Sequence, residues 1–171
     1  MSSCQRRSRG VAPLLSFLLL VLPGAGCSGS SPTSPGASAP SALSVESSSF
    51  TRINQSRRDD GKGELMLDPV LSEIARAHSR RMRDEQFFGH EDPAGSTLVD
   101  RLRSSSVTFS LAGENLALVD GASDPAGAAH DMLMGNPAHR GNILEPRYTE
   151  VGVGVAQSGN TYWITQIFVR P

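Results

Sequence analysis

The chain has 171 residues, of which 16 are basic and 17 are acidic. That length fits one domain with a tail, and the near-neutral charge argues against a nonspecific nucleic-acid-binding protein, which would be strongly basic. The two cysteines, Cys4 and Cys27, both lie near the amino terminus. No disulfide is therefore expected in the domain that follows, which has to fold on its apolar core alone.

The first 27 residues have the pattern of an export signal. Three arginines among the first ten residues precede an apolar run over residues 11–22, which is shorter than the about 20 residues that a membrane-spanning helix needs. Small residues then precede Cys27, as in a bacterial lipoprotein processing site where the cysteine is acylated, although Gly24 stands where that motif usually has leucine. Two outcomes stay open: lipidation of Cys27, or ordinary cleavage near Gly26.

Residues 28–44 consist mostly of Ser, Pro, Gly and Ala, a composition that predicts a disordered spacer. The folded domain is predicted over residues 45–171. Without the three signal arginines, 13 basic residues face 17 acidic ones, a net charge of −4. The organisation predicts an exported monomer that is either a cell-envelope lipoprotein or secreted, and that touches the membrane only through its anchor.

Five helices are predicted in the first two thirds of the domain. The second is the clearest, because its apolar residues recur at helical spacing and a capping Asp68 precedes Pro69 at the first helical position. The predicted starts are Val45, Asp68–Pro69, Ser96 or Thr97, Asp124–Pro125 and His139. His78, on the apolar face of the second helix, is interpreted as a packed histidine with one hydrogen bond.

In the last part of the chain, the spacing of the apolar residues changes from helical to every second residue. Valines alternate with small residues over 151–156, the Ser158–Asn160 segment is typical of a hairpin turn, and residues 162–169 alternate again. The small residues predict that another element packs closely on that face of the strand. Helices followed by an antiparallel hairpin predict an α+β domain in which helices cover a small sheet.

Three polar segments carry the candidate chemistry, through His90, Glu114 and His139. Two imidazoles and one carboxylate could hold a divalent cation such as zinc, or the carboxylate could act as a base. The three residues are 24 and 25 positions apart, so local spacing enforces no geometry. Structural roles stay open for each: a turn histidine, a carboxylate bonded to a neighbouring loop, and a first-turn helix residue. Asn142 and Arg140 are expected to bond loop carbonyls.

Several enzyme signatures are absent from the sequence. It contains no His-Glu-x-x-His helix, no Gly-x-Ser-x-Gly elbow and no phosphate-binding loop. Cys4 lies in the predicted signal and Cys27 at its end, so no cysteine in the domain could act as a nucleophile. These absences favour a protein that is not an enzyme.

Taken in order, six segments resemble the CAP superfamily of cysteine-rich secretory, antigen 5 and pathogenesis-related proteins, in its bacterial secreted branch. The resemblance covers residues 45–169 and includes Phe87–His90, Gly113–Ala117 and Asn136–Leu144. It implies a three-layer α-β-α sandwich with a central cleft lined by two histidines and two glutamates.

Three of these cleft positions match His90, Glu114 and His139, and the second glutamate falls at Asn136. The amide at Asn136 carries no charge, so the resemblance implies weaker cation binding than with four ionisable residues. Leu133 also replaces a tryptophan that is common in the family.

The family is linked to lipid or sterol binding, divalent metals and proteolysis. The first hypothesis is a binding module that holds a small molecule, lipid or envelope component in the cleft. A metal-dependent hydrolase is the alternative, with His90 and His139 as ligands and Glu114 as base. A cleft that only braces the fold is the third. The sequence establishes no cofactor, and a divalent cation, zinc, is the candidate.

Overall fold

The computed structural model describes residues 39–171. The predicted signal, Cys27 and residues 28–38 lie outside the described residues. The described part contains five helices and four strands. In chain order they are α1 (Ala42–Asp59), β1 (Met66–Leu67), α2 (Pro69–Asp84), α3 (Leu98–Ser104), β2 (Leu111–Asp120), α4 (Pro125–Gly135), α5 (Pro137–Leu144), β3 (Glu150–Ser158) and β4 (Thr161–Arg170).

The predicted helix starts at Asp68, Thr97 and Asp124 are confirmed. The Asp68 side chain accepts from the amide of the third helical residue at 2.7 Å, and Asp124 does the same at 2.9 Å. Thr97 and Asp100 bond each other's backbone amides in a capping box. Two starts lie earlier than expected. Helix α5 begins at Pro137 because Asn136 caps it.

Helix α1 also begins earlier, at Ala42, so residues 42–44 of the predicted spacer are helical. The Ser41 hydroxyl caps this helix by accepting from the Ser44 amide at 3.2 Å. A serine in a Ser-rich segment is a weak signal, and only its position before the packed part of α1 makes it a cap.

The four strands form one sheet in the order β1-β3-β4-β2, in which β1 runs parallel to β3 and the other pairs are antiparallel. The predicted hairpin is β3–β4. The α+β fold class is confirmed. Strand β2, which contains residues 113–117, was not predicted from the sequence. Its buried Glu114 and Asn115 interrupt the apolar alternation that reveals a half-buried strand.

Helices cover both faces of the sheet. On one face, α1, α4 and α5 contribute Ile53, Leu133 and Ile143 to a core that includes Phe168. On the other face, α2 and α3 form a second core with Ile167, the neighbour of Phe168 on β4. Successive residues of one strand thus enter opposite cores, and the domain is a three-layer α-β-α sandwich.

A carboxylate from α1 closes the open edge of β3. Strand β1 pairs only with Glu150 and Val151, which leaves the Val155 amide without a strand partner. Glu46 accepts from this amide at 3.0 Å. The same carboxylate accepts from Arg76 of α2 at 2.8–3.1 Å, so it links both helical layers to the sheet.

Replacing Glu46 with alanine is expected to lower the free energy of unfolding by about 1–3 kcal/mol, because a buried amide loses its acceptor. Urea denaturation measures the change. Glu73→Ala is the matched control, since Glu73 also pairs with Arg76 but its side chain is 60% exposed, and an exposed pair contributes about 0–1 kcal/mol. Equal losses in the two variants would contradict the role assigned to the Glu46–Val155 bond.

Candidate functional site

Glu114 is the buried centre of the site. Strand β2 positions it, and its side chain is 2% exposed. One carboxylate oxygen accepts from His90 Nδ1 at 2.8 Å. The other accepts from Arg101 Nη2 at 2.6 Å. The structure therefore brings His90 and Glu114 together, and both oxygens of Glu114 are bonded within the protein.

Arg101 of α3 joins the strand to the loop that carries His90. Its Nη1 donates to the carbonyls of His90 at 3.1 Å and Ser96 at 3.2 Å, while its side chain is only 10% exposed. Sequence reasoning missed this residue. Arg103, two positions on, is exposed, and no sequence signal separates the two arginines.

His78 of α2 bonds the loop that carries His90. The His78 ring is fully buried, and its Nε2 donates to the Gly89 carbonyl at 2.9 Å, as expected of a packed histidine with one hydrogen bond. Burial lowers the pKa of His78, and the nearby Arg101 lowers it further. Asp92 orders the rest of the loop by accepting from the amides of residues 94 and 96 at 3.0 and 2.9 Å.

A network of amide side chains connects the backbone of His139 to the site. Asn115 of β2 donates to the His139 carbonyl at 3.1 Å. Asn142 donates to the Glu114 carbonyl at 3.2 Å and to the Asn115 side chain at 3.0 Å, so Asn142 bonds a carbonyl as predicted. Asn136 accepts from the amides of Ala138 and His139. Its side chain thus begins the helix that presents His139.

The pKa values of His90 and His139 are shifted in opposite directions. The hydrogen bond that His90 donates to Glu114 raises the pKa of His90, although burial and Arg101 oppose this. Desolvation lowers the pKa of His139, and the charge of His90 lowers it further. Because His90 Nδ1 faces Glu114, its Nε2 faces outward on a side chain that is 58% exposed.

The site offers fewer potential metal ligands than a zinc site uses. Within residues 39–171, no three His, Cys, Asp or Glu side chains are grouped as metal ligands, whereas zinc sites use three or four protein ligands. Both oxygens of Glu114 are engaged, and the Asn136 oxygen caps α5. Two imidazoles alone do not fit a complete zinc centre.

The Glu114→Gln substitution is expected to lower the pKa of His90, because the carboxylate is lost while Arg101 remains. A raised folded-state pKa means that the pair stabilises the fold fully below about pH 6.5, the value in unfolded chains. This contribution is lost as the pH rises through the folded-state pKa. NMR titration of the histidine rings measures the shift, with His130 of α4 as the internal reference, because burial and Arg52 lower its pKa independently of Glu114. An unchanged His90 titration would show that the pair does not form.

The comparisons with known proteins identify the family. A model of the cysteine-rich secretory protein family, CAP, matches residues 50–168. The chain belongs to this family. It is 35% identical over 133 residues to the uncharacterized protein YkwD of Bacillus subtilis, which covers 77% of this chain and 50% of YkwD.

Solved CAP-type structures agree with the fold. An extracellular protein of Bacillus anthracis that contains an SCP domain superposes with a TM-score of 0.64 at 32% identity, covering 76% of this chain and 43% of that one. An outer surface protein of Borrelia burgdorferi has the same TM-score at 17% identity, covering 71% of this chain and 88% of that one. The second match supports the fold alone.

This CAP chain spans about half the length of the curated relative that it matches. Within residues 39–171, every helix is too short or too polar to cross a membrane. The family thus accounts for the sandwich and for the order of the polar segments, and the role of the site is a separate question.

Proposed function

We propose that this CAP domain is an exported, envelope-anchored binding module that holds a small ligand through His90 and His139. The observation that carries the proposal is the engagement of Glu114. Its two oxygens bond His90 and Arg101, whereas His90 is 58% exposed and His139 is half-buried, so the two imidazoles are more accessible than the carboxylate.

A hydrolytic role has weaker support. A general base must come within hydrogen-bond reach of the proton that it removes, and the Glu114 side chain is only 2% exposed and already bonds His90 and Arg101. Ser79, a hydroxyl near His78 in sequence, is buried and bonds Gly154 and Thr165 at 3.0 and 2.8 Å. No reaction step is therefore assigned to the site.

A purely bracing role leaves the imidazoles unexplained. The bonds that tie the loops together run from Arg101, Asn115 and Asn142 to the backbone carbonyls of His90, His139 and Glu114. None of these three bonds uses an imidazole nitrogen. The hydrogen bond to Glu114 raises the pKa of His90, which favours a donating ring nitrogen, and burial lowers the pKa of His139, which favours an accepting one. Together they suit a ligand with a polar, hydrogen-bonding group.

The test is the content of the site in protein that has been exported by its own host and isolated without detergent. Native mass spectrometry is expected to find a small molecule that the His90→Asn/His139→Asn variant loses. Met132→Ser, at an exposed residue of α4, is the control that retains it. Wild-type protein without a bound molecule, but with a large loss of melting temperature on Glu114→Gln, would favour the bracing role.

A zinc titration of the same proteins separates the metal alternative. Stoichiometric zinc bound by the wild type and lost in the His90→Asn/His139→Asn variant would support it.

The anchor is tested separately by metabolic labelling with a fatty acid. Wild-type protein is expected to incorporate the label and the Cys27→Ala variant to lack it; an unlabelled wild type would refute anchoring.

A further inference from the structure

An apolar pocket of about 460 Å³ lies between the carboxyl end of α2 and strands β2 and β4. Met82, Phe87, Phe88, Leu118 and Trp163 form its apolar walls, and Arg83, Gln86 and Ser158 complete the lining. Trp163 is the only tryptophan of the chain. None of these side chains belongs to the site of His90 and Glu114, so the pocket needs its own explanation.

The pocket walls are held in place by the fold. Gln86, with a φ of 57°, turns the chain at the end of α2, and the Phe87 amide bonds the Met82 carbonyl at 3.2 Å. The Phe87 ring packs edge-on against His78, with centroids 5.9 Å apart. Leu118 and Trp163 are cross-strand partners. A preformed apolar concavity of this kind indicates a contact site.

Two of the side chains remain open to solvent in this arrangement: Phe88 is 50% exposed and Leu118 is 41% exposed. Other large apolar side chains of the domain are also exposed, so exposure alone decides nothing. The distinguishing feature is that aromatic and aliphatic groups converge here. Phenylalanine, tryptophan and leucine are residues that enter the interface of a bilayer.

The amino-terminal chain enters the domain at the same end of the sheet. The Tyr162 hydroxyl donates to the Pro40 carbonyl at 2.7 Å, and Tyr162 precedes Trp163, with side chains on opposite faces. Eleven residues, 28–38, separate Cys27 from Ala39. Even fully extended, that length spans only roughly 40 Å, so an anchor at Cys27 would keep the point where the chain enters the domain within that distance of the bilayer.

We propose that the pocket end of the domain docks onto the lipid bilayer that holds the acylated Cys27, with Phe88 and Leu118 entering the interface. The proposal rests on the anchoring of Cys27 and is independent of ligand binding at His90 and His139. Arg83, at the pocket, already pairs with Asp84 at 2.7 and 3.1 Å. Docking therefore depends on apolar contact and is expected to persist at high salt, which screens charge attraction.

Trp163 is a native reporter for the test. The exported protein is reconstituted through its anchor into phosphatidylcholine vesicles with brominated chains, and tryptophan emission is measured. The expected result is a loss of emission at both low and high salt. An anchored protein with unquenched Trp163 overturns the proposal, and so does an exported protein that carries no acyl chain and stays unquenched. Fatty-acid labelling of Cys27 tells these two failures apart.

The Phe88→Ser/Leu118→Ser variant is expected to stay anchored and to regain emission. The Met132→Ser/Met66→Ser variant removes two apolar residues exposed elsewhere and is expected to remain quenched. Melting temperatures check that both fold. If a soluble brominated fatty acid quenched wild-type Trp163 as strongly without vesicles, the pocket would be a site for single lipid molecules, and docking would be refuted.

Discussion

Replacing Arg57 with alanine is expected to lower the free energy of unfolding by about 3–5 kcal/mol. This arginine is 1% exposed, and its guanidinium donates to four backbone carbonyls. The acceptors are Gly63 at 2.7 Å, Ile143 at 2.8 Å, Glu145 at 2.9 Å and Tyr148 at 3.4 Å. One side chain thus joins the end of α1 to the segment between α5 and β3.

The large effect follows from burial. Removing the guanidinium leaves buried carbonyls without a donor and opens a cavity, and each unpaired buried group costs about 1–3 kcal/mol. Burial also lowers the pKa of Arg57, although the charge of Glu145 opposes this. The bonds to the four carbonyls offset the desolvation of the guanidinium, and the charge of Glu145 adds a second favourable contribution.

Chemical denaturation measures the effect, with Arg58→Ala as the matched control. Arg58 is the next residue of α1, but its side chain is 44% exposed and pairs with Glu64, so its loss is expected to cost about 0–1 kcal/mol. Arg57→Lys is expected to lie between the two, because an ammonium keeps the charge without the planar fork. Equal stability of the two alanine variants would refute the bridging role of Arg57.

Replacing Gly154 with alanine is expected to lower the free energy of unfolding by about 3 kcal/mol, the upper part of the range for overpacking. A Cβ at this position would overlap backbone atoms of Ala75 and Arg76 in α2. Gly152 faces the backbone of Leu71 and Ser72 in the same way. Helix backbone cannot move aside as a side chain can, so α2 would have to separate from β3.

Gly135→Ala is the control, because a Cβ there would meet nothing within 4 Å and alanine favours a helix. Thermal denaturation of both variants is expected to show a lower melting temperature for Gly154→Ala alone. An unchanged melting temperature in that variant would mean that α2 does not approach the strand as closely as the structure shows.

The close approach at Gly154 was visible in the sequence as alternation of valines with small residues. The pattern predicted that something packs tightly on β3, and it did not name the partner. Local chemistry likewise predicted the starts of α2 and α4, because an acid followed by proline acts over one helical turn. A capping acid, a proline and a residue alternation act on neighbouring residues in the sequence. Their effects can therefore be predicted without knowing the fold.

Strand β2 and the role of Arg101 could not be predicted from such local patterns. Glu114 and Asn115 interrupt the apolar pattern of β2, because their partners are Arg101, His90 and Asn142 from distant segments. Arg101 itself looks like any surface arginine of a short helix. Its importance arises only when α3 packs beside β2 and places the guanidinium against the Glu114 carboxylate.

Sequence alone determined the family, the helix and hairpin order, and the residue types of the site, since these depend on motifs and on periodicity along the chain. Only the tertiary structure decided that both oxygens of Glu114 are occupied, that His90 turns Nε2 outward, and that Asn136 caps a helix. The reason is physical: a polar side chain acquires its role from the groups that burial places around it, and residues far apart in sequence supply those groups.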